Sequence, residues 1–503
     1  MVLQLTRSLR VPTSANTTSK DPVDELKPRV AEAVQRFRSK PVTPQSAFEF
    51  ENELASLAAD TCRQVVEQEV NRLEPDDKQK LPSRVRYQRV TYRINKKTPA
   101  CVATRFGVIT LRSFYYLNEE DGEPGVHPLW VRLGIGAGSA TPALLERVAR
   151  MSVDHTQAEV RTWLLREHGL KWSNDRLRAA LRGVRQALLP FVAELQEQRL
   201  LTWLRQAEQS RGRHRPVLAV GRDGVMIPMR RGDYEEASTA TVSVYDRRRR
   251  RLGTIYLGQM PEAKQTTLSS TLTKLVKATL AAWAGPLPRL AYITDKGSAP
   301  DEYYHRVLKK MPHPRDGKVL PWEWVLDFYH VCTYIGKLAD ALFGVGTKAA
   351  AQWFKKMRHW LRDRPQGAAQ VIRSAMQYLH RRKMSKACKA EFWKAYRYLR
   401  RHRRWMDYVG HRRRGLPIGS GVTEAACKTV FTQRFKRSGM RWHHESGQVI
   451  LDLRVIYLSG IWQEAFAADL AARSLPQPTH AAGAATKQGS SAWTQRPSRR
   501  FAA

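Results

Sequence analysis

Apolar residues recur along this chain with two different rhythms. From Phe48 to Leu73 they return at helical spacing, with Phe50, Leu54, Leu57, Ala58, Val65 and Leu73 on one stripe, which predicts a helix. After Pro82 the rhythm becomes alternation. VRYQRVTYRI and TRFGVITLRSFYYL exchange apolar with basic or polar residues, the pattern of strands with one buried face. Between residues 141 and 190 the helical spacing returns in three segments. One helix is predicted over Pro142–Met151, and TQAEVRTWLLREHG gives a second that ends at Gly169. After LKW, Ser173 and Asn174 offer caps to a third helix, DRLRAALRGVRQALLPF. Leu177, Leu181, Val184 and Leu188 form its core stripe, leaving Arg176, Arg178, Arg182 and Arg185 outside.

These three segments resemble a helix-turn-helix, whose last helix enters the major groove of DNA and reads bases. A plain helical bundle with basic outer faces is the competing reading. Residues 205–215 are polar and basic, as a linker would be. The strand rhythm then resumes: PVLAVGRDG carries Asp223, and STATVSVYD and LGTIYLGQM follow, separated by the charged turn Arg247–Arg251. A helix is predicted at Thr266–Trp283, with Leu268, Leu272, Leu275 and Leu280 on its buried side. LAYITD, ending in Asp295, is a fourth strand; a short amphipathic helix at 300–311 follows it. WEWVLD, ending in Asp327, is a fifth, and FYHVCTYIGKLADALF is a helix. Three antiparallel strands followed by alternating helix and strand is the arrangement of a ribonuclease-H-like α/β domain.

Residues 347–410 are helical in character and densely basic, with Arg381, Arg382, Lys383, Arg397, Arg400, Arg401, Arg403 and Arg404 among the cations. Only Glu391 and Asp407 oppose the bases between Arg381 and Arg414, so the run repels itself unless an anion lies nearby. The predicted organisation is a flexible arm at 1–40, a helix plus small β region at 41–135, and the helix-turn-helix region at 136–204. An α/β core at 211–346 and 411–467 follows, interrupted by an all-helical insertion at 347–410, with a disordered tail at 468–503.

Charge sharpens the picture. With 86 Lys and Arg against 46 Asp and Glu, net +40, the chain calls for a polyanionic partner, and nucleic acid is the natural one. The five cysteines form no CxxC pair, which argues against a disulfide framework and a cysteine-type zinc site. No apolar run reaches the length of a membrane span, and the N-terminus has no signal-peptide core, so a cytoplasmic location is expected.

The stretch GLPIGSGVTEAACKTVFTQRFKRSGMRW, Gly415–Trp442, brings chemistry into view. Glu424 falls in the first turn of a predicted helix, where the helix dipole favours a carboxylate. Lys428, Arg434, Lys436, Arg437, Arg441 and Trp442 follow as a cluster of cations with an aromatic. Trp442 is either a stacking platform for an unpaired base or a core residue. Asp223 and Asp295 each lie at the predicted end of a strand, where α/β sheets build their sites. Asp223, Asp295 and Glu424 are hard oxygen ligands suited to two Mg²⁺ or Mn²⁺ ions, which activate a water or 3′-hydroxyl and stabilise the leaving oxygen in phosphodiester chemistry.

Together VGRDG, YITDKGS, VLDFYHV and PIGSGVTEAACK...RFKRSGMRW resemble the DDE transposases of bacterial insertion sequences, most closely the ISKra-type group. The resemblance covers roughly residues 85–465 and is strongest over 217–442. It implies that Asp223, Asp295 and Glu424 are the catalytic triad and that the block between Asp327 and Glu424 is an insertion domain. It also implies a nucleoid-associated protein that binds double-stranded element ends as a homodimer or larger assembly, cuts them and joins them to target DNA. Asp327-Phe328-Tyr329-His330 fits a C/D-x-x-H signature of those families. Asp327 is then either a secondary ligand or a hydrogen-bond partner orienting His330, and the second reading is preferred. Some relatives carry a cysteine-rich zinc ribbon; the corresponding stretch here, FYYLNEEDGEPGVHPL, has no cysteine, so no zinc is expected. Two other readings stay open: a ribonuclease-H-like nuclease or resolvase that cuts without joining, and a catalytically silent DNA-binding repressor.

Overall fold

The computed structural model describes residues 21–119, 124–136, 138–295, 297–380 and 384–479. The basic triplet Arg381, Arg382 and Lys383 and most of the predicted tail lie outside them. The chain divides into two compact units, Met1–Pro142 with Arg473–Ala503, and Ala143–Ala472.

In the first unit, helices α1 (Pro22–Ser39) and α2 (Pro44–Arg72) pack as a hairpin. The arm predicted for residues 1–40 is therefore corrected over Pro22–Ser39. Asp21 caps the helix, Pro22 occupies its first turn, and Phe37 stacks on Phe50 at 4.5 Å. Partners on α2 decide this, because α1 by itself is highly charged and carries Pro28 in its interior. The alternating segments form β1 (Arg84–Tyr87), β2 (Val90–Thr104) and β3 (Gly107–Asn118), all antiparallel. Gln88 and Arg89 both take positive φ, 50° and 71°, which makes the two-residue β1–β2 turn. Asn71 docks α2 on β3 by donating to the Thr110 carbonyl and accepting from Arg112 N–H. A short α3 (Pro128–Arg132) covers β3.

The second unit begins with α4 (Pro142–Asp154), α5 (Gln157–His168) and α6 (Asn174–Gln209). The predicted stop and cap are in place, Gly169 closing α5 at φ 64° and Ser173 accepting from Arg176 N–H; Thr156 and Glu159 add a capping box at the start of α5. The predicted linker at 205–215 is corrected in part, because α6 continues through Pro190 as far as Gln209. An interior proline costs about 3 kcal/mol. Burying Leu200, Leu201 and Leu204 against the sheet, at about 1.5–3 kcal/mol each, outweighs it.

Strands β4 (Val217–Pro228), β5 (Tyr234–Tyr245) and β6 (Arg251–Gln259) are antiparallel. After α7 (Thr266–Ala282) come β7 (Arg289–Thr294), α8 (Ser298–Arg306) and β8 (Trp322–Leu326). The sheet order is β6-β5-β4-β7-β8, with β7 parallel to β4 and β8 parallel to β7. Alternate residues of β4 serve two cores. Leu218 and Val220 face α6 and α7, whereas Val217 and Ala219 face α9 (Phe328–Phe343) and the helices after it. Those helices are α10 (Lys348–Asp363), α11 (Gly367–Leu379), α12 (Lys386–His402) and α13 (Tyr408–Arg413). They share one core with α9, in which Trp353, Met357, Phe392 and Leu399 are buried. The chain returns through α14 (Gly421–Ala426), a π-helical turn at Cys427–Thr432 and α15 (Gln433–Phe435). It ends in α16 (His444–Leu458) and α17 (Trp462–Ala472). Among the described residues no helix is long and apolar enough to cross a membrane.

Candidate active site

The parallel pair β4–β7 sets two of the three acids. Its ladder pairs Ala219 with Ala291 and Gly221 with Ile293. Two residues further on the same face, that register sets Asp223 beside Asp295, on strands about 4.8 Å apart. Both side chains lie on the face that α9 and α14 cover. Asp223 Oδ1 accepts from Gly224 N–H at 2.8 Å, and Asp295 Oδ1 accepts from Gly297 N–H at 3.1 Å. Burial pushes the Asp223 carboxyl above its usual range, and the charges of Asp295 and Glu236 add to that. The Cys427 thiol and the Gly224 amide oppose it.

Glu424 arrives from above the sheet. Helix α14 lies against β4 and β5 because Gly221 has no side chain: a Cβ there would sit 1.9 Å from Thr423 Oγ1. Thr423 hydroxyl shares a hydrogen bond with Thr241 at 2.8 Å. One turn on, the Cys427 thiol donates to Asp223 Oδ2 at 3.2 Å. Burial raises the Cys427 thiol far above its usual range, and the charges of Asp223, Asp295 and Glu424 all push in that direction. Glu424 itself is exposed and pairs with Lys428 at 3.4 Å. Among the described residues no three His, Cys, Asp or Glu side chains are gathered tightly enough to hold an ion as they stand. The donor set nonetheless fits a hard divalent cation: an ion beside Asp223 would offset the burial and neighbouring charge that raise its carboxyl.

Asp327 has a different task. It is buried, and its Oδ1 caps α9 by accepting from Tyr329 and His330 N–H, the latter at 3.0 Å. Its Oδ2 accepts from Ser420 N–H at 2.7 Å and from the Ser420 hydroxyl. Both oxygens are therefore engaged in holding backbone and the Ser420 hydroxyl, a structural task. The bond to His330 involves its backbone and not its imidazole, which corrects the expectation that Asp327 orients that ring. The His330 ring instead meets Tyr334 and Tyr398. What Asp327 holds is the Gly419-Ser420-Gly421 loop that launches α14.

Several of the predicted DNA contacts are occupied within the protein. Arg434 is buried: its Nε donates to the Ser152 carbonyl, and its guanidinium lies 5.1 Å from the Trp442 ring. Burial lowers its pKa to about 10. Trp442 is core as well, packing on Phe435 at 4.5 Å and donating Nε1–H to the Phe435 carbonyl. Arg437 forms a two-pronged pair with Glu159, and Arg185 is paired with the buried carboxyl of Asp452. These four are withdrawn as DNA contacts. Arg176 stacks on Trp172 at 4.9 Å. Arg178, Arg182, Lys436 and Arg441 are exposed, as are Arg397, Arg400, Arg401, Arg403 and Arg404 on and after α12. Neutralising Arg434, Lys436 and Arg437 together is therefore expected to flatten the log–log salt dependence of DNA binding by about one unit at most, since each phosphate contact contributes about 0.9. A salt titration of the triple glutamine variant checks this.

Two participants escaped the sequence reading. Cys427 sits four residues after Thr423 on the same face of the helix, a spacing that was present but carried no chemical flag. Arg222, next to Asp223, points into the opposite core. Its Nη2 donates to Gln265 Oε1 at 2.9 Å and it lies 4.5 Å from the Tyr303 ring, while Nε and Nη1 have no partner. No protein-family model matches the chain, and no curated protein matches it.

Proposed function

We propose that the protein is a DDE-type transposase with a ribonuclease-H-like core, which cuts the ends of a mobile DNA element and joins their 3′-hydroxyls to target DNA. The observation that carries this reading is the register that sets Asp223 and Asp295 on one face of adjacent parallel strands, with α14, which carries Glu424, packed against β4. The strand order β6-β5-β4-β7-β8, with three antiparallel strands and two parallel ones, supports the core assignment. The pair α5–α6, with its capped five-residue connection, supports a helix-turn-helix reader. A magnesium or manganese ion pair, held by Asp223, Asp295 and Glu424, would supply nucleophile activation and charge stabilisation at the leaving oxygen.

The chain's own residues orient this set. Gly224 and Gly297 amides fix one oxygen of each aspartate, and the Cys427 thiol holds the second oxygen of Asp223. Tyr398 of α12 donates its hydroxyl to the Asp295 carbonyl at 3.2 Å while stacking on Tyr334 of α9 at 3.7 Å. The helical insertion thereby holds the loop that carries Asp295. Tyr398→Phe keeps the stack and loses the bond, so cleavage is expected to slow by about tenfold with DNA affinity unchanged. Single-turnover rates alongside a binding titration check the split.

The decisive experiment is strand transfer with DNA carrying the element ends. Cutting with joining supports the transposase, and cutting alone would leave a nuclease or resolvase. One observation favours the silent DNA-binding alternative: Glu424 is exposed and paired with Lys428. Neither product in that assay would establish it. Synapsis of two ends calls for at least two copies of the chain.

A further inference from the structure

A basic cleft of about 620 Å³, lined by none of the three acids, has walls from three separate segments. One wall is the first half of α6, with Arg178 and Arg182. The second is the segment after β4, with Arg230. The third runs from Met440 to Ser446, at the start of α16. Five arginines line it against one acid, Glu445, and Arg182 already lies 3.7 Å from that carboxylate. Its rim is therefore strongly cationic.

The cleft is also rigid. Its floor contains Trp442 and Arg434, both buried and bonded to backbone carbonyls. Trp442 is tied to the end of β4 in both directions: its N–H donates to the Pro228 carbonyl at 3.1 Å, and Arg230 N–H donates to its carbonyl at 2.9 Å. Arg230 Nη1 meets His443 Nε2 at 3.1 Å, and since a guanidinium can only donate, the ring nitrogen accepts. His443 stands at the N-cap of α16 without a side-chain cap bond, so helix amides border the cleft beside the arginines. Cationic walls and few apolar groups suit a polyanion and not a small apolar ligand.

Position selects among polyanions. Arg230 follows Asp223 by seven residues along one continuous strand and its end, a span of roughly 20 Å at about 3.3 Å per residue. Successive phosphates of one DNA strand advance about 3.4 Å along the duplex axis, so the cleft lies roughly six base-pair steps from the carboxylates. We propose that this cleft binds the sugar–phosphate backbone of duplex DNA flanking the phosphate to be cut, with Arg230 and Arg441 as its contacts. The assignment rests on the transposase reading above and adds Arg230 to the DNA-holding surface.

The test uses the full chain, a fluorescent 30-base-pair duplex of arbitrary sequence and EDTA, so that binding is read without cutting. Arg230→Gln with Arg441→Gln is expected to weaken binding and to flatten the log–log salt slope by about two units, at about 0.9 per lost contact. Arg230→Lys with Arg441→Lys is expected to retain most of the slope, and Arg315→Gln, an exposed site on the β7–β8 connection, to match wild type. Thermal melts of each variant confirm that it is folded. An unchanged slope in the glutamine pair, with wild-type binding intact, would overturn the cleft and leave the transposase reading standing. Tighter binding of single-stranded RNA than of the duplex, lost in the glutamine pair, would also overturn it. Absence of any duplex binding by wild type would sink the underlying reading itself.

Discussion

Asp223→Asn, Asp295→Asn and Glu424→Gln proteins are each expected to bind duplex DNA with near wild-type affinity and to cut it at least about a thousandfold more slowly. The scale is that of removing a group that stabilises transition-state charge, which costs on the order of 10²–10³ for a single donor and more for a metal ligand. Binding survives because the exposed arginines are untouched. Near-normal cutting by any one variant would remove that residue from the set.

The same substitution at Asp223 carries a stability signature of opposite sign. Burial and neighbouring negative charge raise its folded pKa above the ordinary 3.8. The protonated form therefore stabilises the fold at low pH, and that contribution is lost as pH rises through the raised value. At neutral pH the ionised carboxylate is a liability. Asp223→Asn is thus expected to raise Tm at pH 7 in metal-free buffer, by about 2–4 °C for each kcal/mol relieved, with the gain shrinking below the ordinary carboxylate range. Added Mg²⁺ is expected to raise Tm of the wild type and to leave the variant unmoved, because only the wild type has the repulsion for an ion to relieve. Equal responses in a melting series would count against a cation at this site.

Asp327→Ala is the second large effect, and it falls on folding. The substitution uncaps α9 and strips Ser420 of its acceptor, leaving buried N–H donors without partners. Loss of the cap costs about 0.5–2 kcal/mol, and each stranded buried donor costs about 1–3 kcal/mol. A combined loss of about 2–5 kcal/mol is expected in urea unfolding. Because Ser420 starts the loop that presents α14, cutting is expected to fall with it even under conditions where the variant is folded. A variant of unchanged stability would show that the clasp between Asp327 and Ser420 is not formed in solution.

Local pattern was enough for much of this molecule. Alternation marked β1 to β3, short apolar runs marked strands of the second sheet, and the helix stop at Gly169 and cap at Ser173 were legible because capping depends on residues next to one another. Net charge pointed to a polyanion without reference to any fold. Asp295 was legible as an acid at a strand end, whereas Asp223, also read as ending its strand, stands inside β4, which pairs with β5 as far as Pro228.

Other features depended on residues far apart in sequence, and only the tertiary structure decided them. Pro22–Ser39 became a helix because α2 gives it a partner, and α6 ran through Pro190 because three leucines reach the sheet. Arg434, Arg437 and Trp442 read as a DNA surface in one dimension. In three dimensions Ser152, Glu159 and Phe435 claim them, and a buried or paired cation is no longer available to phosphate. The partner of Asp327, Ser420, stands 93 positions later, so the clasp between them was not legible in any sequence window. The cleft with Arg230 has walls from three separated segments, so no sequence window contains it. Charge and periodicity are properties of neighbours along the chain, whereas the identity of a side chain's partner is fixed only when the chain has packed.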